Sequence, residues 1–219
     1  MTSALLFDLD GTLVDTDHLH LEAFNHVFGR FGGTMDRAEY TQRVMGKANV
    51  AIAAALVPDM PIAEAAHLLD EKERIYRALV RDLTPIDGLV DLLDWAAGQG
   101  LPLGVVTNAP RANADLVLDA LKLRGRFQEV VIADELAEMK PHPLPYLTAL
   151  ERLGAKAAHS VVFEDSPSGI TAGTRAGMPV FGLMTSMSEA ALIAAGAALA
   201  IADYRDGRVR GFITARRAP

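Results

Sequence analysis

Apolar residues fall along the chain in short runs separated by helical patterns. The runs Ala4–Phe7, Leu103–Thr107, Val130–Ala133, Ser160–Phe163 and Pro179–Leu183 show little polar alternation, and Leu199–Ala202 is a weaker sixth. Such runs predict strands buried on both faces of a parallel sheet. The segments Leu89–Gln99, Ala112–Leu123, Leu144–Leu153, Gly169–Ala176 and Ser188–Ala195 predict helices between them. Strand–helix alternation predicts an α/β fold, a doubly wound, Rossmann-like parallel sheet.

One interval breaks the alternation. From about Thr16 to Leu83 no strand is apparent. Leu21, Phe24, Val27, Phe28 and Phe31 recur at helical spacing, with Gly32-Gly33 as the expected stop. A second long pattern runs through Ala65, Leu69, Tyr76 and Leu79, and Thr84-Pro85 leads back to the α/β part. So many helical residues between two strands exceed one crossover. The expected organisation is an α/β core of residues 1–15 and 84–219, with an all-helical cap domain, residues 16–83, inserted after the first strand and acting as a lid.

The 219 residues are enough for one full core and a small second unit. Half of them are apolar, and the composition is that of a globular chain. The richest apolar stretch, Ala190 to Ala202, is mostly alanine and ends at Asp203, so no membrane span is expected. Asp8 and Asp10 interrupt the apolar N-terminus, so no signal peptide is expected. Cysteine is absent, which removes disulfides, thiolate metal sites and a cysteine nucleophile, and fits the reducing cytoplasm. The net charge is −7. The basic tail of Arg208, Arg210, Arg216 and Arg217 reads as a solvated C-terminus, so nucleic acid is not the expected partner. A monomer acting on a small molecule is expected.

Four motifs carry the candidate chemistry. Phe7-Asp8-Leu9-Asp10-Gly11-Thr12 puts two carboxylates at the end of an apolar strand and into a glycine turn, where open α/β sheets bind ligands. Val105-Val106-Thr107-Asn108 ends a second strand in a hydroxyl and an amide. Lys140 lies in a proline-bounded loop, Lys140-Pro141-His142-Pro143. Val161-Val162-Phe163-Glu164-Asp165-Ser166 delivers adjacent carboxylates into a helix start. Each has a plain structural reading, such as N-capping by Asp10, Asp165 or Ser166. Together they offer hard oxygen ligands for Mg²⁺, a lysine to neutralise a phosphoryl group, and an aspartate able to form an acyl phosphate.

In this order, with a helical insertion after the first, the motifs resemble the haloacid dehalogenase-like phosphatase superfamily, in the branch whose cap follows motif one. The resemblance reaches to about Leu183. It implies Asp8 as nucleophile, Asp10 as general acid/base, Thr107 and the Asn108 backbone as phosphoryl donors, and Lys140 as the charge between Asp8 and phosphate. It implies Mg²⁺ held by Asp8, the Asp10 carbonyl and Asp165, with Glu164 beside it. Glu164-Asp165-Ser166 is similar to the β-phosphoglucomutase and CbbY-like members, while a Gly-Asp pair is more typical of phosphoglycolate phosphatases.

The hinge Asp15-Thr16-Asp17-His18-Leu19-His20 matches the mutase-like members too, with His20 where they place a histidine that gates Asp10. On the residues alone, His20 is equally an exposed position of the first insertion helix. Arg43 and Lys47 flank Gly46 and are candidates for the far end of the substrate, whereas Asn49 stands near the place where mutases carry an arginine. Asp10 argues against dehalogenation. The length and the insertion argue against a signalling receiver, and no glycine-rich phosphate loop is present. A non-catalytic relative is expected to have lost Asp8, Asp10 or Lys140. The expected activity is Mg²⁺-dependent hydrolysis of a small phosphorylated metabolite, a sugar phosphate for preference, with a phosphomutase as the alternative.

Overall fold

The computed structural model describes residues 3–31, 34–47 and 49–217. Six strands form one parallel sheet: β1 (Leu5–Phe7), β2 (Leu103–Thr107), β3 (Glu129–Ile132), β4 (Val161–Glu164), β5 (Val180–Leu183) and β6 (Leu199–Ile201). Their order is β3-β2-β1-β4-β5-β6, the doubly wound arrangement. The chain steps outward from β1 to β3, then crosses back to lay β4 on the other side of β1. A crevice therefore opens between the carboxyl ends of β1 and β4, which pair with Phe7 opposite Phe163.

Successive strand residues point to opposite faces, and each face has its own core. On one face Leu5, Phe7, Val105, Phe163 and Phe181 pack under α5 (Leu89–Gly98) and α6 (Arg111–Ala120). On the other, Leu6, Val106, Val162 and Val180 pack under α7 (Leu144–Arg152), α8 (Pro167–Arg175) and α9 (Glu189–Ala194). Phe7 stacks on Phe163 with ring centroids 4.8 Å apart, which ties the two central strands just below the site.

The insertion contains α1 (Asp17–Phe28), α2 (Arg37–Arg43), α3 (Asn49–Leu56) and α4 (Ile62–Leu79). Phe24, Val27, Phe28, Tyr40, Val44, Met45, Ile52 and Leu69 give it a hydrophobic cluster of its own. Gly32 and Gly33, expected to stop the first helix, lie outside the described residues. The two middle helices were not anticipated. α2 carries a local signal, a reciprocal capping box between Asp36 and Glu39. In α3, apolar residues occupy nearly every position and leave no period to read.

The C-terminal expectation needs correction. The tail forms α10 (Gly207–Arg217), with Val209 and Ile213 buried against the sheet and Phe212 edge-on to Phe181 at 5.0 Å. Three of its arginines have partners: Arg208 bonds Asp206, Arg210 lies over the Trp95 ring, and Arg216 donates to the Ala158 carbonyl. Among the described residues, no helix is long and apolar enough to cross a membrane.

Candidate active site

Parallel pairing brings the four motifs to one end of the sheet. The Lys140 ammonium is buried and donates to Asp8 Oδ1 at 2.6 Å, Glu164 Oε1 at 2.7 Å and the Val106 carbonyl at 2.6 Å. Burial alone would depress its pKa, but the Asp8 and Glu164 charges outweigh that, and the pKa is raised. Lys140 is thus held charged. Burial, then the Glu164 charge, push Asp8 well above the usual carboxylate range against the pull of Lys140. Asp165 is pushed up by burial and by Asp8 and Glu164.

Two glycines let the carboxylates stand so close. Gly11 has φ +75°, and a Cβ there would lie 2.1 Å from Asp165 Oδ2. At Gly169 a Cβ would lie 1.6 Å from Glu164 Oε1. Glu164 can therefore fold back over the start of α8, where its Oε2 accepts from the Asp165 and Ser166 N–H groups and from Ser166 Oγ. Its Oε1 also accepts from Tyr146 at 3.0 Å. Ser166 caps α8 by accepting from Gly169 N–H, so the capping role falls to Ser166 and Asp165 remains in the cleft.

The donor set fits a divalent cation. Asp8, Glu164 and Asp165 each offer a carboxylate oxygen within 4.8 Å of the others. Lys140 pairs with Asp8 and Glu164 but not with Asp165, and the excess of negative charge is one that a hard cation would neutralise. Both Glu164 oxygens are already occupied by hydrogen bonds, so Asp8 and Asp165 are the better placed to bind it directly.

Asp10 sits apart from that cluster and faces the hinge. Its Oδ1 accepts from Thr16 Oγ1 at 2.5 Å and Tyr76 OH at 3.3 Å, and lies 3.6 Å from His20 Nε2. Burial would raise its pKa, but His20, Thr16 and Lys72 together bring it below the usual value. His20 is buried, not exposed, and stacks on Tyr76 with centroids 3.8 Å apart. Lys72 Nζ is 3.0 Å from His20 Nδ1. Burial lowers the Lys72 pKa against the opposing pull of the Glu73 and Asp10 charges. Lys72 also bonds Glu73 at 2.9 Å, and Glu73 accepts from Asn113 at 2.7 Å.

Thr107 lines the cleft with its Oγ1 accepting from Ala109 N–H, which leaves its own proton to donate. The insertion supplies the facing wall, through Phe24, Tyr40, Val44, Met45, Lys47 and Ile52. Lys47 reaches the cleft with its ammonium on the Gln42 and Arg43 carbonyls. Arg43 does not line the cleft; its guanidinium donates to the Ala55 carbonyl inside the insertion. Asn49 opens α3, and its side chain lies outside the described part of the chain.

Asp17, Tyr40, Lys72 and Glu73 also line the cleft, and sequence reasoning missed them. Asp17 accepts from Tyr40 OH at 3.2 Å and from Ser186 Oγ. A usable signal existed for Lys72 and Glu73: both are charged residues beside apolar Tyr76 and Leu69 positions of one helix, as a polar group aimed at a site would be.

The family model described as "Haloacid dehalogenase-like hydrolase" matches residues 5–183. The chain is 34% identical over 197 residues to a validoxylamine A 7'-phosphate phosphatase of Streptomyces hygroscopicus subsp. limoneus, covering 88% of this chain and 90% of the relative. It is 36% identical to a phosphoglycolate phosphatase of Xylella fastidiosa (strain 9a5c), over 80% and 77% of the two chains. Among solved structures it is similar to a CbbY mutant from Rhodobacter sphaeroides in complex with xylulose-(1,5)bisphosphate, with TM-score 0.82, 27% identity and coverage of 94% and 96%.

Proposed function

The chain belongs to the haloacid dehalogenase-like hydrolases, and on that premise we propose that it is an Mg²⁺-dependent phosphatase that cleaves a sugar-like phosphate monoester through an aspartyl phosphate on Asp8. Its phosphatase relatives support phosphoric monoester hydrolysis as the reaction class. The observation that carries the reading is the placement of Lys140 between Asp8 and Glu164, with the Asp10 carboxylate held separately on the hinge by Thr16.

In this reading an Asp8 oxygen attacks phosphorus and the bond from phosphorus to the leaving oxygen breaks. Asp10, whose pKa lies below the usual value in the free protein, takes up a proton as substrate binds and gives it to that oxygen. Asp10 then takes a proton from water as the water attacks the aspartyl phosphate, which frees Asp8 and inorganic phosphate. Thr107 Oγ and the Asn108 N–H hold the phosphoryl oxygens, and the Lys140 ammonium, its three protons on Asp8, Glu164 and the Val106 carbonyl, supplies positive charge beside them. Asp8, the Asp10 main chain and Asp165 would bind Mg²⁺, with Glu164 beside it. The ion would supply charge neutralisation on the phosphoryl group.

Residues 16–83 act as the lid over the core of residues 1–15 and 84–219. A wall of Phe24, Tyr40 and Ile52 with the Asp17 carboxylate suits an apolar ring face bearing hydroxyl groups. Arg43 stays out of the substrate's reach, and Lys47 lies at the cleft's edge. All groups come from one chain, so a monomer suffices, and we place it in the cytoplasm.

A second reading, transfer to a sugar hydroxyl as in a phosphomutase, is favoured by the His20 position beside Asp10. A screen of phosphorylated sugars with Mg²⁺, scoring free phosphate and isomerised product, tests both. Phosphate release abolished by EDTA and restored by Mg²⁺ but little by Ca²⁺ is expected. Full activity in chelator, or isomerisation outrunning hydrolysis, would overturn the first reading.

A further inference from the structure

The turn after α2 meets the core at Gly46. Its φ is +67°, in the left-handed region that glycine occupies freely. A Cβ there would stand 2.5 Å from Ser166 Cβ and 2.9 Å from Ser168 Oγ, so the insertion lays bare backbone on the first turn of α8. The Gly46 carbonyl accepts from Ser168 Oγ at 2.5 Å and from Asn108 Nδ2 at 3.3 Å. The same Asn108 amide grips the main chain of Lys140. Its Oδ1 accepts from Lys140 N–H at 3.1 Å, and its Nδ2 donates to the Lys140 carbonyl at 3.2 Å. One amide plane thereby joins the insertion's backbone to the residue whose ammonium bridges Asp8 and Glu164.

We propose that Asn108 is a positioning residue that couples seating of the insertion to the placement of Lys140, with Gly46 and Ser168 forming the other half of the contact. With the insertion seated, one Nδ2 proton goes to Gly46 and the other to Lys140, and the amide plane is fixed with Oδ1 toward the Lys140 N–H. With the insertion lifted, the amide loses one of its three bonds and is freer to turn. The Lys140 peptide then loosens, and its ammonium is shared less firmly between the two carboxylates. The phosphoryl site is complete only under a seated lid. The consequence for turnover rests on the phosphatase reading; the coupling does not.

The test is amide hydrogen exchange at Lys140 in the full-length, ligand-free protein, for wild type, Gly46→Ala, Ser168→Ala and Ser168→Thr. Gly46→Ala removes the close approach, so exchange should rise at Val44–Lys47. It should also rise at the Lys140 N–H by roughly fivefold, the size of one lost hydrogen bond. Ser168→Ala should shift Lys140 in the same direction by a smaller factor, and Ser168→Thr, which keeps the hydroxyl, should restore it. Lys140 exchange unchanged in Ser168→Ala, or unchanged in Gly46→Ala while Val44–Lys47 exchange rises, would overturn the coupling. With a monoester from the substrate screen, kcat should fall in both Gly46→Ala and Ser168→Ala more than KM rises. An unaffected kcat alongside faster Lys140 exchange would refute the positioning role. No turnover by the wild type would instead refute the phosphatase reading and leave the exchange result standing.

Discussion

On the sheet side of the cleft, Asp8, Thr107, Glu164 and Asp165 stand at, or one residue beyond, the last residues of parallel strands. On the insertion side, Asp17 and His20 come from α1, Tyr40 from α2, and Lys72 and Glu73 from α4. The sheet side is fixed by backbone pairing and by cores on both faces. The insertion side depends on helix packing and on a chain of polar contacts from Glu73 through Lys72 and His20 to Asp10. Rigid strand ends suit a nucleophile and a metal, which need fixed geometry. In the proposed mechanism the helical wall reaches the proton donor only indirectly, through His20 beside Asp10, which suits a proton that must be delivered only when substrate is enclosed.

The sharpest way to break this contrast is at the sheet side. Asp8→Asn should cut turnover by on the order of 10⁴-fold, because a neutral amide neither attacks phosphorus nor ligates Mg²⁺ well. The fold should survive, since Lys140 keeps Glu164 and the Val106 carbonyl. Appreciable turnover by the purified variant would sink the aspartyl-phosphate route.

The same rigidity predicts a large structural cost at Gly169. An alanine there drives its Cβ into Glu164 Oε1, and Glu164 is pinned by Lys140, Tyr146 and the start of α8. Overpacking of this kind costs about 2–3 kcal/mol, a drop of roughly 5–10 °C in Tm for a chain of this size. A melt within a degree of wild type would show that Glu164 can relocate and that the sheet side is softer than its hydrogen bonds imply.

The contrast between the walls also accounts for what could be read in advance. Strand β2 was legible to the residue because both its faces are buried, and an unbroken apolar run has clear ends. Asp8, Thr107, Lys140 and Glu164-Asp165 were legible because each sits beside such a run or a proline. Asp17 and Tyr40 were not, since a charged or phenolic residue on a helix reads the same whether it faces water or a cleft. Only the tertiary packing of α1 against α4 decides that. α10 was missed because glycines and arginines mask the spacing of Val209, Phe212 and Ile213.

A weaker effect belongs to the hinge. His20→Ala removes the stack on Tyr76 and the contact with Lys72. In a phosphatase it should slow turnover by roughly tenfold or less, well below the 10²- to 10⁴-fold that a general acid contributes, and leave the product unchanged. In a mutase it should raise hydrolysis relative to isomerisation, because Asp10 would be free to activate water before the acceptor is bound. Assaying free phosphate and sugar-phosphate isomers on the one variant separates the two.

The smallest effect should be a pH-dependent one at Glu73, and it probes the insertion side alone. Burial pushes the Glu73 carboxyl up, but the Lys72 charge, His20 and the bonds from Lys72 and Asn113 outweigh it, so its pKa lies below the ordinary value of 4.5. A carboxylate depressed by folding stabilises the native state above its unfolded pKa, and that stability is lost as pH falls through the folded one. Asp8 and Asp165, raised by burial, act with the opposite sign. They are common to wild type and variant, so a difference measurement removes them. Glu73→Gln should therefore melt below wild type at pH 7, where Lys72 has lost its charged partner. The gap should narrow as the pH is lowered below about 4.5, where the wild-type carboxylate takes up its proton. Thermal melts of both proteins from pH 3 to 7 read it directly. A gap that stays constant across that range would mean that the Glu73 charge does not hold Lys72 in place, and that the Lys72–His20–Asp10 chain is anchored by packing alone.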